Sequence, residues 1–301
     1  MITVKNLYKS IEGHEVISDL SLYVETGSIY GLIGQNGAGK TTVIKQIAGV
    51  LKPDSGQVLY DGVPVWENPS VKDRIGYIPD DLNLLPLYTL KDAAGFISSI
   101  YSEWDNARFE ELSGLLGFEL KMKLKYLSKG QQKQAAFLLM LSTHPDYILL
   151  DEPVDGLDPV VRSIVWREMK KDVAEKKTSI IVSSHNLREV ENICDVVGII
   201  ENGRMITEQK LDELKNNMHK IQVVLPGRPD AADKLEEAGI EVLKAENVGS
   251  VASVVVKGDK NDIRKKIESL SPVVLDILPM TLEEIFIVEQ EVSHGVKNIF
   301  I

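Results

Sequence analysis

Gly34-Gln35-Asn36-Gly37-Ala38-Gly39-Lys40-Thr41 fits the pattern G-x-x-x-x-G-K-[ST], between an apolar run at Ile29 to Ile33 and a helical period that opens at Thr42. The chemistry of such a loop is phosphate binding. Its glycines let successive backbone N–H groups turn inward around phosphate oxygens, and the helix that follows adds its positive end. Lys40 is placed to reach the β and γ phosphates as a point charge, the Thr41 hydroxyl is placed to ligate Mg²⁺, and Thr42 belongs to the same cradle. A second run, Tyr147-Ile148-Leu149-Leu150-Asp151-Glu152, is an apolar strand ending in acids. Asp151 there would bind Mg²⁺ directly or through water, and Glu152 would orient or deprotonate an attacking water.

These side chains need a scaffold, and the first two hundred residues supply one by alternating apolar runs with helical periods, the pattern of a sheet with helices packed on it. Strands are expected at Ile2 to Lys5, Ser28 to Ile33, Gln57 to Tyr60, Tyr147 to Leu150, Ser179 to Ser183, Val196 to Glu201 and Arg204 to Thr207, the last two joined by a tight turn at Asn202-Gly203. Between 83 and 146 the pattern becomes helix-rich, with periods at Leu90 to Tyr101, Asn106 to Leu116 and Gly130 to Ser142, which reads as a helical insertion in an α/β core. After about Lys215 the order is strand, helix, strand, strand, helix, strand: Ile221 to Leu225, Asp230 to Ala238, Ile240 to Leu243, Val251 to Val256, Asn261 to Leu270 and Val273 to Ile277. That βαββαβ order is ferredoxin-like. The expected organisation is therefore a larger α/β domain over 1–217 with a helical subdomain at 83–146, a linker near 215–220, and a small α+β domain over 218–301.

Composition narrows the function classes. Lys and Arg number 34 against 45 Asp and Glu, a net charge of −11, which argues against a nucleic-acid coat or an anionic-membrane binder. The single cysteine, Cys194, forms no internal disulfide and belongs to no zinc-site spacing. The longest apolar run, Ala135 to Leu141, is well short of the roughly 18 residues that span a bilayer. No secretory signal is visible at the start, so the expected location is cytoplasmic.

With these residues in view, the chain resembles the ATP-binding subunits of ABC transporters over residues 1 to 217. Leu127-Ser128-Lys129-Gly130-Gln131, at a helix start ahead of Asp151, is similar to the LSGGQ signature with Lys129 at its third position. Gly156-Leu157-Asp158 resembles the D-loop that crosses the dimer interface, and His185 resembles the switch histidine that contacts the γ-phosphate. The resemblance implies a P-loop NTPase core binding ATP and Mg²⁺, and a head-to-tail dimer. Each site would use the loop, Asp151 and Glu152 of one chain with Ser128, Gly130 and Gln131 of the other. The Ser128 hydroxyl and the adjoining helix amides would form a second anion site. Two positions depart from the family. The aromatic residue that stacks on adenine falls on Ile11, with Tyr8 the nearest ring, and Asp80, after Ile75-Gly76-Tyr77-Ile78-Pro79, stands where a glutamine senses Mg²⁺. A carboxylate at Asp80 suits Mg²⁺. A solvated acidic turn with Asp81 is the alternative.

Tyr-Ser-Glu-Trp-Asp at 101–105, the LSKGQ variant and Ser-Ser-His-Asn at 183–186 resemble the ATPases serving ABC-2 type membrane subunits, mostly exporters. The implied partner is a separate transmembrane permease, holding the ATPase at the inner face of the membrane, with the helical insertion and the loop around Asp80 as docking surface. The C-terminal domain is similar to accessory tails with a regulatory, dimer-supporting or passive role. The alternative function, an ABC ATPase acting on nucleic acid or ribosomes, usually comes with paired cassettes, coiled coils or zinc modules. None is present in the sequence, and the acidic balance opposes it.

Overall fold

In the computed structural model, β1 (Ile2–Ile11), β2 (His14–Val24), β4 (Ser55–Tyr60) and β5 (Val63–Pro64) form an antiparallel sheet in the order β2-β1-β4-β5. A second sheet holds β3 (Ile29–Ile33), β6 (Ile75–Ile78), β7 (Tyr147–Asp151), β8 (Ser179–Ser184), β9 (Val196–Glu201) and β10 (Arg204–Lys210). Its order is β10-β9-β3-β8-β7-β6, parallel from β9 to β6. The structure describes residues 1–82, 88–153, 156–185, 187–227 and 230–293. Asn186 of the expected Ser-Ser-His-Asn run, and 83–87 at the start of the expected helical insertion, lie outside them.

The apolar runs explain the parallel sheet. β3, β7 and β8 are buried along their whole length, as strands covered on both faces must be. Parallel pairing sets Ile33 beside Ser184 and Asp151 beside Ser183, so the segments leaving β3, β7 and β8 emerge at one edge. This carboxyl edge is where open α/β sheets bind ligands. The helix Lys40–Ile47 packs back through Val43, Ile44 and Ile47 into a core shared with Leu20, Leu22 and Val58 of the antiparallel sheet. β2 has no counterpart among the expected strands. Ser18-Asp19 interrupts its alternation, Asp19 takes φ 52°, and the β1–β2 register shifts in three places.

The insertion carries helices Leu90–Ser98, Asn106–Leu115 and Lys129–Leu141, each started by a side-chain cap from Thr89, Asp105 or Ser128. The apolar run Ala135 to Leu141 is buried in the third. Among the described residues no helix is long and apolar enough to cross a membrane.

The chain forms two units, 1–186 with 193–208 and 187–192 with 209–301. The boundary thus falls at 208/209 rather than 217/218, and residues 215–220 are not an open linker. They are the end of the helix Leu211–Asn217 and the start of β11 (Met218–Val224), tied in by burial of Leu211, Leu214 and Met218. The second unit adds β12 (Glu241–Val248), β13 (Val251–Lys257) and β14 (Val274–Leu278) in an all-antiparallel sheet of order β12-β13-β11-β14. Helices Ala231–Glu237 and Lys260–Ser269 bury Leu235, Ile263 and Ile267 against Ile221, Val223, Val254 and Val256. A further helix, Leu282–Ser293, buries Leu282, Ile285 and Val288 at helical spacing, and Glu191 accepts the Leu282 N–H at 3.3 Å.

Candidate functional site

β3 stops at Ile33 and the chain turns at once into the glycine-rich loop. Gly39, the residue before the helix, has φ 106°, and a Cβ there would lie 2.7 Å from Ile17 Cδ1, so both backbone and space require glycine. No side chain caps the helix Lys40–Ile47, which leaves its first amides to a ligand. Lys40 is 6% exposed; its ammonium donates to the carbonyls of Gly34 (2.9 Å) and Gln35 (3.3 Å) and lies 3.3 Å from Glu152 Oε1.

The end of β7 faces this loop. Asp151 is 1% exposed, and the Ser183 hydroxyl of β8 donates to its Oδ1 at 2.6 Å. Its Oδ2 is buried with no hydrogen-bond partner among the described residues. Such an orphaned carboxylate oxygen is costly unless a ligand satisfies it. Tyr77 stands nearby, its hydroxyl pushed up to about 12 by burial and then by the Asp151 charge. Asp151 and the Thr41 hydroxyl offer hard oxygen donors, and Mg²⁺ commonly takes one or two such protein ligands beside substrate phosphates. The donor set therefore fits Mg²⁺.

Glu152 takes φ 46°, left-handed backbone for a non-glycine residue. Its N–H donates to the Ser183 carbonyl and hydroxyl oxygens, both at 3.2 Å, and its carbonyl accepts from Lys133 Nζ at 2.7 Å. Its Oε2 accepts the His185 N–H at 3.3 Å and pairs with His185 Nδ1 at 2.8 Å. Lys40, Glu152 and His185 thus form one contiguous chain of contacts, with Asp151 preceding Glu152 in sequence and sharing the Ser183 anchor.

An open cleft of about 680 Å³ is lined by Asn36, Gly37, Gly39, Lys40, Thr41, Thr42, Asp80 and Glu152, together with Val16. Ala38, within the loop, is 7% exposed and donates its N–H to Gln35 O. Asp80 reaches the cleft with a 59% exposed side chain, and its Oδ1 lies 3.7 Å from Lys133 Nζ. Ile11 does not line the cleft. It sits 42% exposed at the end of β1, paired with His14 across the hairpin turn, and Val16 takes the lining position instead. The sequence offered no sign of Val16, but Lys133 had one. It lies on the helical stripe of Ala136, Phe137 and Met140, which are all buried.

Ser128, Gly130 and Gln131 do not line this cleft either. Ser128 caps the helix Lys129–Leu141 in a reciprocal arrangement, its hydroxyl accepting from Gln131 N at 3.2 Å while Gln131 Oε1 accepts from Ser128 N at 3.0 Å. A Cβ on Gly130 would lie 2.4 Å from Gly156 O, so the segment at 156–158 and the helix start meet through bare backbone.

A family model described as ABC transporter matches residues 17–155. The chain is 36% identical over 287 residues to the ABC transporter ATP-binding protein YtrB of Bacillus subtilis, covering 95% of this chain and 97% of that protein. It is 29% identical over 292 residues to the Nod factor export ATP-binding protein I of Burkholderia lata, with 95% of each covered. Among solved structures, one described as the ATP binding subunit of an ABC transporter superposes with a TM-score of 0.67 at 28% identity, over 71% of this chain and 92% of that one.

Proposed function

The chain belongs to the ABC transporter family as an ATP-binding subunit that hydrolyses ATP, and from that premise we propose a role for each group in its cleft and a setting for its work. The observation that carries the reading is the convergence of Lys40, Asp151, Glu152 and His185 on the carboxyl edge of one parallel sheet.

The loop amides and Lys40 take the β and γ phosphates of ATP, which draws Lys40 away from the loop carbonyls that hold it otherwise. Thr41 and Asp151 hold Mg²⁺, with Asp80 at the rim of the cleft as a further oxygen donor. Bound there, Mg²⁺ neutralises charge on the phosphate oxygens. Glu152 accepts the proton of the attacking water, and His185 fixes the orientation of that carboxylate and reaches toward the γ-phosphate. Adenine is held without an aromatic ring at Ile11.

Ser128, Gly130 and Gln131 serve the cleft of a second copy. Their position outside their own chain's cleft, at a capped helix start, supports a head-to-tail dimer enclosing two ATP-Mg²⁺. Transport passes through a separate membrane permease that keeps the ATPase at the inner face of the membrane. An apolar groove of about 530 Å³ between β6 and the helices Leu90–Ser98 and Lys129–Leu141, lined by Ile78, Leu82, Ile97, Ala136 and Leu139, supports docking there. The similarity to a Nod factor export protein supports export as the direction.

Asp151→Asn and Asp80→Asn test the Mg²⁺ assignment. Both should raise the Mg²⁺ concentration needed for half-maximal hydrolysis, Asp151→Asn the more. Wild-type Mg²⁺ dependence in either would remove that residue from the metal site. Retrieval of a multi-span hydrophobic protein with the tagged chain from detergent extract tests the permease, and its absence would count against it.

A further inference from the structure

Glu152 is the residue whose backbone is most strained in the cleft, and the structure holds its peptide groups from two sides. Its left-handed φ of 46° costs free energy that surrounding contacts must supply. On the amide side Ser183 of β8 accepts its N–H. On the carbonyl side the only donor among the described contacts is the ammonium of Lys133, at 2.7 Å. With both ends held, the side chain leaves the turn toward Lys40 and His185.

Lys133 is an unusual choice for that task. It is 6% exposed, and burying an ammonium is costly unless it is paired. Its ion-pair partner among the described residues is Asp80 at 3.7 Å, a carboxylate that itself lines the cleft. An apolar side chain would complete the buried stripe with Ala136, Phe137 and Met140 at no such cost, so the charge at 133 answers to its contacts rather than to core packing.

From this geometry we infer that Lys133 is a positioning residue for ATP hydrolysis. It fixes the Glu152 carbonyl and so aims the Glu152 carboxylate, while Asp80 supplies the counter-charge that keeps the ammonium in place. Through Lys133 the loop at Asp80, the turn at Glu152 and the helix that begins at Ser128 share one contact point. The inference rests on Glu152 being the carboxylate that activates water, as assigned above.

The test compares the full chain with Lys133→Met, Lys133→Arg, Glu152→Gln and the double variant Lys133→Met/Glu152→Gln. It uses steady-state hydrolysis, equilibrium binding of a fluorescent ATP analogue, and thermal unfolding. Lys133→Met should lower kcat by about 10²-fold, the scale of loss from misplacing a reacting group by an ångström, with nucleotide affinity within about twofold of wild type. Lys133→Arg, which keeps a cationic donor, should recover most of the rate. The double variant should be no slower than Glu152→Gln alone, because both changes disable one unit. Should the Met variant not fold, Lys133→Gln is expected to show the same loss in kcat and the same lack of additivity. Wild-type kcat in Lys133→Met, or losses that multiply in the double variant, would overturn the inference while leaving Glu152 in its role. A wild-type rate in Glu152→Gln would instead overturn the assignment of Glu152, and this inference with it.

Discussion

The parallel sheet of the first unit and the antiparallel sheet of the second solve the problem of burial differently. In the second unit the sheet of β11 to β14 buries Ile221, Val223, Val254 and Val256 beneath two helices, and its charges meet in partly exposed pairs such as Lys220–Glu284 and Lys244–Glu291. His219 is its one buried polar side chain among the described residues. The first unit buries Lys40, Lys133, Asp151 and Asp172, three of them at or next to the cleft, and sets a non-glycine residue, Glu152, in left-handed backbone at the same edge. Buried charge and strain are costs that a fold avoids when packing alone is at stake. Buried charge gathered at one sheet edge fits a region that acts, and the apolar sheet fits a region that holds the fold together.

That contrast breaks if damage to the cleft harms stability first, or damage to the second sheet harms catalysis first. The largest effect is expected from Lys40→Met, which removes the charge proposed to meet the phosphates. Truncating one partner of a buried charge pair costs about 2–5 kcal/mol, so ATP affinity should fall by that amount in an equilibrium titration. Affinity within twofold of wild type would take Lys40 out of the cradle. Ile267→Ala is the matching cut in the second unit, where Ile267 is fully buried. It should cost about 2–5 kcal/mol in denaturant unfolding of that unit and leave kcat per folded molecule unchanged.

Ser128→Ala separates the two roles that meet at one residue. As a helix cap the serine contributes about 0.5–2 kcal/mol, so the melting temperature should drop modestly. If the hydroxyl also serves a second copy's ATP, hydrolysis should fall further than the loss of folded protein accounts for. Activity that tracks the folded fraction would leave Ser128 a cap and nothing more.

The smallest effect is on acid stability. Burial would raise Asp61, but hydrogen bonds from the N-terminal ammonium, Tyr147 and Arg74 outweigh it and bring the carboxyl from 3.8 to about 2. Asp105 is drawn down to about 2 chiefly by its hydrogen bond to His144. Carboxyls depressed in the folded state stabilise it fully above their unfolded value, and that contribution is lost as the pH falls through the folded one. Asp54 and Asp92 are also lowered in the first unit, chiefly by Lys9 and by Thr89, whereas the second unit has Glu284, lowered chiefly by the Thr281 amide. Stability of the first unit should therefore decline more steeply between pH 3.8 and about 2. Asp61→Asn or Asp105→Asn should flatten that decline, and identical acid profiles for wild type and both variants would contradict it.

What the sequence revealed follows the range of the forces involved. The loop at 34–41, the acids ending β7 and the turn at Asn202-Gly203 are local, because glycine placement, apolar runs and turn chemistry act over a few residues. β2 escaped because its alternation is broken by Ser18-Asp19 and repaired only by shifted pairing with β1. Lys133 escaped because a lysine in a helix reads as solvated until the turn at Glu152 closes over it. The family resemblance puts the adenine position at Ile11, whereas the hairpin turn that follows it brings Val16 to the cleft. The linker expected near 215–220 failed for a related reason. The texture changes there, but Leu211, Leu214 and Met218 are buried and carry regular structure straight through.

Left-handed backbone, two backbone clamps, Lys40 and His185 meet at Glu152. Purified Glu152→Gln should bind ATP as tightly as wild type while hydrolysing it about 10²- to 10⁴-fold more slowly, the contribution typical of a positioned base. ATP binding retained with hydrolysis at the wild-type rate would contradict it.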